Sequence, residues 1–394
     1  MSGRRRLVAA LAVSLAVQTL TAMGLAVPSV LAPVAASDFD VAPTALGRWV
    51  GFSYMIAMFA GLAGGTLVGR YGPSRVHQAA VLGVVLGLAT GAGAQLALLL
   101  LCGLCLGAAH GLVNPASSAI LAAASPPRIR SMVFSIKQTG VPLGGAIAGL
   151  LVPALLLWMS WQAAVLALAL GAAVLLVLVV RHDPADDAAR RVERLRLRSF
   201  AAPVAEVWAN RPILELAAVS GVYSAIQISF LTYLVSYLKL ELGYSLVAAG
   251  VVFAVAQISG AAGRVLWGVV ADHFLKPRSV LAGLGLVMVV CGGALASLNA
   301  AWPQAAVVGV CVLYGATAVG WNGVFLAEVA RLAPEGRVAY LTGGTQFFTF
   351  AGVLIGPPLF GAIASVTGTY GAGFVVTAAL PLLVVVPMLA RRGP

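Results

Sequence analysis

Charge is scarce in this sequence. Only 9% of its 394 residues are Asp, Glu, Lys or Arg, where a water-soluble domain carries about a quarter. Too few polar side chains remain to cover a folded surface, so water is excluded as the main solvent and a lipid bilayer is implied. Acidic residues are scarcer still, 12 against 24 basic ones. None lies near the middle of an apolar run: Glu215 and Glu328 fall near run ends, and Asp38 and Asp40 lie beyond the first run. A site for an organic cation needs a carboxylate at depth, and so do many proton-coupled drug exporters, so this absence favours an anion. Cysteine is sparser again, with four in all. Cys102 and Cys105 form a C-x-x-C with no basic neighbour and no second pair. A reactive thiolate and a zinc site are thereby excluded, which leaves packing. The net charge of +12 does not point to nucleic acid, because the basic residues sit between apolar runs, at one end of alternate ones.

What the chain does have is apolar length. A membrane-crossing helix needs about 20 apolar residues. Such runs fall near 7–33, 46–68, 77–95, 97–124, 131–157, 161–180, 212–237, 246–270, 279–298, 303–330, 338–364 and 371–390, twelve in all. The first follows Arg4, Arg5 and Arg6 as a signal peptide would, but it is too long for one and eleven more follow, so it is expected to remain as a helix. Basic residues mark one side: Arg4–Arg6, Arg70 and Arg75, Arg128 and Arg130, Lys276 and Arg278, Arg331 and Arg337, Arg391 and Arg392. The other side offers Arg48 and Lys239. Both termini are therefore expected in the cytoplasm, in a bacterial inner membrane. The fold class expected is all-α, with twelve transmembrane helices in two six-helix bundles, 1–180 and 212–394. The polar stretch 181–211 between them reads as a cytoplasmic linker, partly helical, whose basic excess suits anionic lipid.

The two halves repeat each other where polar residues are rare. Asn114 precedes Gln138 by 24 residues, as Asn322 precedes Gln346, and the same offset of 208 pairs Gly144 with Gly352. Each Asn sits late in a helix entering the cytoplasm and each Gln early in the helix leaving it, so the two are expected at similar depth. Matched polar groups in paired halves suit a transporter; interhelical hydrogen bonding is the structural alternative. Small residues at four-residue spacing (Gly103, Gly107 and Gly111; Gly140, Gly144 and Ala148; Gly352 and Gly356) predict close helix contacts.

With these motifs the chain resembles the major facilitator superfamily over nearly its whole length. The signature turn G-x-x-x-D-R-x-G-R is echoed by Gly65, Arg70, Gly72 and Arg75, with Gly69 in the acidic position. The second copy keeps its acid as Asp272. A further element, an acid followed by Pro and Arg, is echoed by Glu328, Pro334 and Arg337; its first-half counterpart keeps only Pro127, Arg128 and Arg130. The resemblance implies a cytoplasmic latch between halves, carried here mainly by Asp272 and Glu328 with Arg337, Arg70 and Arg75.

Ionisable groups inside a span are functional candidates by default. Arg264 lies eight residues before Asp272, about 12 Å along the axis, which is near the midplane of a core about 30 Å thick. Gln257 lies on the same face, with Gly260 and Ala261 expected to leave room for a ligand. The pattern Arg264-x-x-x-Gly268-x-x-Ala271-Asp272 is similar to the eighth helix of monocarboxylate and oxalate/formate-type members, and the resemblance implies that Arg264 contacts a substrate carboxylate. The planar guanidinium suits that task; a salt bridge to Glu328 is the structural alternative. Lys137 has two readings, a side chain snorkelling to the interface or a ligand contact. His110, one turn before Asn114, is the candidate carrier of a coupling proton. Tyr223, Gln227 and Gln18 are further cavity-lining candidates.

These readings converge on a monomeric secondary transporter of small organic anions, with H+ the candidate coupling ion. The alternative is a multidrug exporter working by proton antiport, which the run Gly140-Val-Pro-Leu-Gly-Gly145 faintly resembles. No Ser–His pairing or His/Asp cluster suggests an enzyme, and neither metal nor cofactor is expected.

Overall fold

A backbone in hydrocarbon must satisfy its own hydrogen bonds, and a helix does so within one segment. A computed structural model describes residues 3–126, 130–181, 198–333 and 338–390. These form α1 (Gly3–Ala35), α2 (Leu46–Tyr71), α3 (Pro73–Gly91), α4 (Leu96–Ala124), α5 (Arg130–Gln138), α6 (Gly140–Leu155) and α7 (Trp161–Val180). There follow α8 (Arg198–Ala209), α9 (Arg211–Leu240), α10 (Leu246–His273), α11 (Pro277–Ser297) and α12 (Gln304–Ala318). The last four are α13 (Asn322–Leu332), α14 (Val338–Thr367), α15 (Tyr370–Ala379) and α16 (Leu382–Ala390).

All twelve expected positions are helical, and among the described residues eleven segments are long and apolar enough to cross a membrane. The exception is α3, whose first turns carry Arg75, His77 and Gln78. Three expected spans are interrupted. The fifth breaks at Thr139 between α5 and α6, where Pro142 lacks the N–H that would reach the Gln138 carbonyl. The twelfth breaks beside Pro381 for a related reason, and the tenth breaks over 319–321, around Gly320.

The chain divides into two units, Met1–Val41 with Phe52–Leu195, and Ala42–Gly51 with Arg196–Pro394. In the first, α1 packs on α6 and α4, and α3 on α4 and α7. In the second, α9 packs on α14, α10 on α12, and α11 on α15. Within the linker stretch, α8 lies on α14: Trp208 stacks on Phe348 at 6.1 Å, and Gly344 abuts the Pro203 carbonyl. Residues 42–51 are held to the second unit by Tyr233. Its hydroxyl accepts from the Gly47 N–H at 2.8 Å and shares its one proton between the Thr44 and Pro357 carbonyls, at 2.8 and 3.1 Å.

Close contacts repeat between the units. A methyl group added at Gly107 would overlap the Ser53 carbonyl oxygen, and one at Gly315 the Ala256 carbonyl oxygen. Gly144 and Gly352 lie in the same way on the backbones of Thr19 and Gly221. Both members of each glycine pair are 208 residues apart. Small residues at these points let backbones touch, where dispersion replaces the hydrophobic effect as the attraction between helices. An acid also repeats: Asp38 accepts from Trp161 Nε1 at 2.7 Å at the start of α7, and Glu241 from Tyr370 N and Thr369 Oγ1 at the start of α15. A carboxylate suits both positions through the positive end of the helix dipole, and Glu241 also takes a helix N-terminal N–H that lacks an intrahelical acceptor. Leu170, Val290 and Leu383 are exposed, as side chains facing lipid tails should be.

Candidate functional site

In the second unit the interrupted tenth span organises the polar groups. Gly260 lies against the Val319 side chain and Gly263 against the Ala316 carbonyl, so α10 approaches α12 closely. The room expected beside Gly260 for a ligand is therefore filled by Val319. The same approach brings Arg264 to the break, where its Nε donates to the Val319 carbonyl at 3.1 Å. Trp267 Nε1 donates to the Ala316 carbonyl at 2.7 Å one turn away. Where a helix is interrupted its carbonyls lose their regular N–H donors, and one of them here accepts from a guanidinium instead.

The other side of the break reaches α9. Gln227 Oε1 accepts from Trp321 Nε1 at 3.0 Å and from Asn322 Nδ2 at 3.4 Å. An indole N–H can only donate, so the Gln227 amide must present its oxygen to Trp321 and turn its NH2 the other way. Trp321 is fully buried, edge-on to Tyr223 at 5.8 Å and to Phe325 at 5.5 Å. Sequence reasoning did not single out Trp321; its position between Gly320 and Asn322 was the available signal, since a buried indole seeks an acceptor. Asn322 thus bonds to Gln227 rather than to Gln346, which is half-buried on α14. Tyr223 is not a cavity-lining donor: its hydroxyl donates to the Leu281 carbonyl at 2.6 Å, and the residue is buried. Gln257 is 4% exposed, and its Oε1 has no hydrogen-bond partner among the described residues.

Glu328 is not the partner of Arg264. Its carboxylate, 1% exposed, binds Arg331 Nε at 2.6 Å and Nη2 at 2.7 Å, with Arg278 Nε at 3.3 Å. Arg278 also reaches Glu215 at 3.6 Å, tying the ends of α9, α11 and α13 together.

In the first unit Lys137 does not snorkel. It is 2% exposed, and its ammonium donates to Asn114 Oδ1. Asn114 therefore meets α5 one residue before Gln138, which is half-buried. His110 lies one turn before Asn114, edge-on to Tyr54 with ring centroids 5.7 Å apart, and its Nδ1 has no partner among the described residues. Gln18 is fully buried on α1 beneath Gly140, and neither of its amide atoms is hydrogen-bonded to a described residue.

A family model described as Major Facilitator Superfamily matches residues 14–343. The chain belongs to the Major Facilitator Superfamily. Over 375 residues it is 27% identical to the hexuronate transporter of Bacillus subtilis (strain 168), covering 89% of this chain and 86% of that one. Over 150 residues it is 33% identical to monocarboxylate transporter 13 of Rattus norvegicus, covering 38% and 34% of the two chains. Its fold is similar to that of a bacterial homolog to the human lysosomal transporter Spinster, with a TM-score of 0.78 at 15% identity over 98% of this chain and 96% of that one. As a member of the Major Facilitator Superfamily it is a multi-pass membrane transporter of a small-molecule substrate. Of its signature-turn residues, Arg70 lies over the Tyr71 ring at 5.3 Å and Arg75 is exposed. Asp272 is exposed and forms no ion pair with a described residue. Arg337, Pro334, Pro127 and Arg128 lie outside the described residues.

Proposed function

We propose that this chain carries small organic anions, carboxylates above all, across a bacterial inner membrane by alternating access. The observation that carries the reading is Arg264, a guanidinium about 12 Å inside a membrane-crossing helix, steered by the Val319 carbonyl at a helix interruption. Discontinuous helices near the midplane are where transporters of this general kind place their substrates. A planar guanidinium at that depth can take a carboxylate through two parallel N–H donors. The Gln227 amide, oriented by Trp321 and Asn322, adds a neutral donor of the kind that reads hydroxyl or carboxylate oxygens. The names of two relatives fit, since a hexuronate and a monocarboxylate are both carboxylates. His110 is the proposed proton carrier, and the chain is proposed to act as a monomer with both termini in the cytoplasm.

Binding to the purified chain tests this, with a hexuronate, a simple monocarboxylate and a cationic drug as probes. The carboxylates should bind and the drug should not. Arg264→Ala should abolish carboxylate binding. Arg264→Lys, which keeps the charge but loses the planar fork, should weaken it roughly ten- to a hundredfold. A folded Arg264→Ala protein with wild-type affinity, or a chain that binds only the drug, ends the reading.

A further inference from the structure

The first unit holds a buried cation that the organic-anion reading leaves unused. Lys137 sits on the last turn of α5, 2% exposed, with its ammonium on Asn114 Oδ1. An ammonium has three donors, and an amide oxygen satisfies one of them without supplying charge. Among the described residues no carboxylate pairs with Lys137. A lysine that merely carried its charge out of the membrane would direct its flexible stem to the interface; this one turns inward to α4.

The far end of the contact is open. Asn114 is exposed although it lies within the apolar segment Leu96–Leu121, while Val113 and Ser117 beside it are buried. An amide presented to lipid tails would have no partner for its remaining polar atoms. The exposed Asn114 amide therefore faces a polar, water-accessible space, with the buried Lys137 ammonium directly behind it. Two more polar groups stand on that flank: His110, whose Nδ1 has no partner among the described residues, and Tyr54 against it. The helix interruption at Thr139 begins two residues after the lysine.

We propose that Lys137, oriented by Asn114 and flanked by His110, is an anion-binding point within the first unit that takes a carboxylate group of the transported solute. This rests on the organic-anion reading above. Asn114 holds the ammonium through one donor and leaves two for the carboxylate oxygens. The solute then supplies the negative charge that the protein withholds, so the site is complete only when loaded.

The test uses the full chain in detergent, with a hexuronate as probe, the corresponding neutral sugar as control, and chloride as the inorganic rival for the same chemistry. Lys137→Gln keeps a donor for Asn114 but removes the charge; it should lower hexuronate affinity by at least about tenfold, as expected for a charge-assisted pair. Lys137→Arg should stay within a few-fold of wild type, and the neutral sugar should not distinguish the variants. Should Lys137→Gln fail to fold, Asn114→Asp serves instead, because it keeps the contact and neutralises the ammonium from within, which should abolish hexuronate binding. A folded Lys137→Gln or Asn114→Asp protein with wild-type hexuronate affinity overturns this inference while leaving the Arg264 result standing. Chloride bound in a Lys137-dependent manner, with no hexuronate bound there, also overturns it. A wild-type chain that binds no carboxylate fails the organic-anion reading first, and this one with it.

Discussion

The Glu328 carboxylate takes the Arg331 guanidinium in a two-pronged grip, 2.6 Å to Nε and 2.7 Å to Nη2. With Arg278 at 3.3 Å as a further partner, this acid has no part in holding Arg264. The effects of Arg264→Ala and Glu328→Gln on stability should therefore add to within about 0.5 kcal/mol in a double-mutant cycle. Glu328→Gln alone should cost about 1–3 kcal/mol, because a buried acceptor of charged donors is weakened. Thermal or denaturant unfolding in detergent measures both; a strong positive coupling between the two positions would restore the salt-bridge view of Arg264.

Gly107 and Gly315 should behave as a pair. Each touches a backbone carbonyl with no room for a methyl group, so Gly107→Ala and Gly315→Ala should each destabilise by about 1–3 kcal/mol. Gly283→Ala and Gly309→Ala have nothing within 4 Å of the added methyl and should be neutral or stabilising, by up to about 1 kcal/mol. Melting curves of the four variants separate the cases, and equal effects at all four positions would contradict the packing described.

Trp321→Phe keeps the ring contacts with Tyr223 and Phe325 but removes the donor to Gln227. Stability should fall by only about 1 kcal/mol, the usual worth of one hydrogen bond between membrane helices. Affinity for a bound carboxylate should fall as well, by roughly three- to tenfold, because Gln227 is then oriented only by the longer bond from Asn322. Isothermal titration beside a melting curve checks both losses, and unchanged affinity in a folded Trp321→Phe protein would contradict the role given to Gln227.

Tyr233→Phe removes the hydroxyl that holds Gly47, Thr44 and Pro357. Residues 42–51 should loosen from the second unit, so that a cysteine placed at Ala45 in an otherwise cysteine-free chain reacts faster with a maleimide. Tyr223→Phe, whose hydroxyl binds Leu281 inside the helix pack, should leave that rate unchanged.

Composition and apolar run length were sufficient for the solvent, the helical class and the twelve helix positions, because a backbone in hydrocarbon has few ways to satisfy itself. The repeat was legible too. Gly144 and Gly352, paired by spacing alone, meet equivalent backbones at Thr19 and Gly221. Arg264 stood out for the same reason, since charge at depth is rare enough to be noticed in a single sequence. The partners of these groups were not legible. Nothing in the spacing of Asn114 and Gln138 says that Asn114 takes the ammonium of Lys137, or that Asn322 turns to Gln227 rather than to Gln346. Glu328 looked available to Arg264 until its carboxylate was seen in the grip of Arg331 and Arg278. A long side chain reaches several neighbours from one helix position, and helix rotation and interruption choose among them. The sequence by itself determined where the chain crosses the bilayer and which polar residues lie at depth. Only the tertiary structure decided which of them face each other, because that depends on backbone approach at the glycines and on the breaks at Thr139 and Gly320.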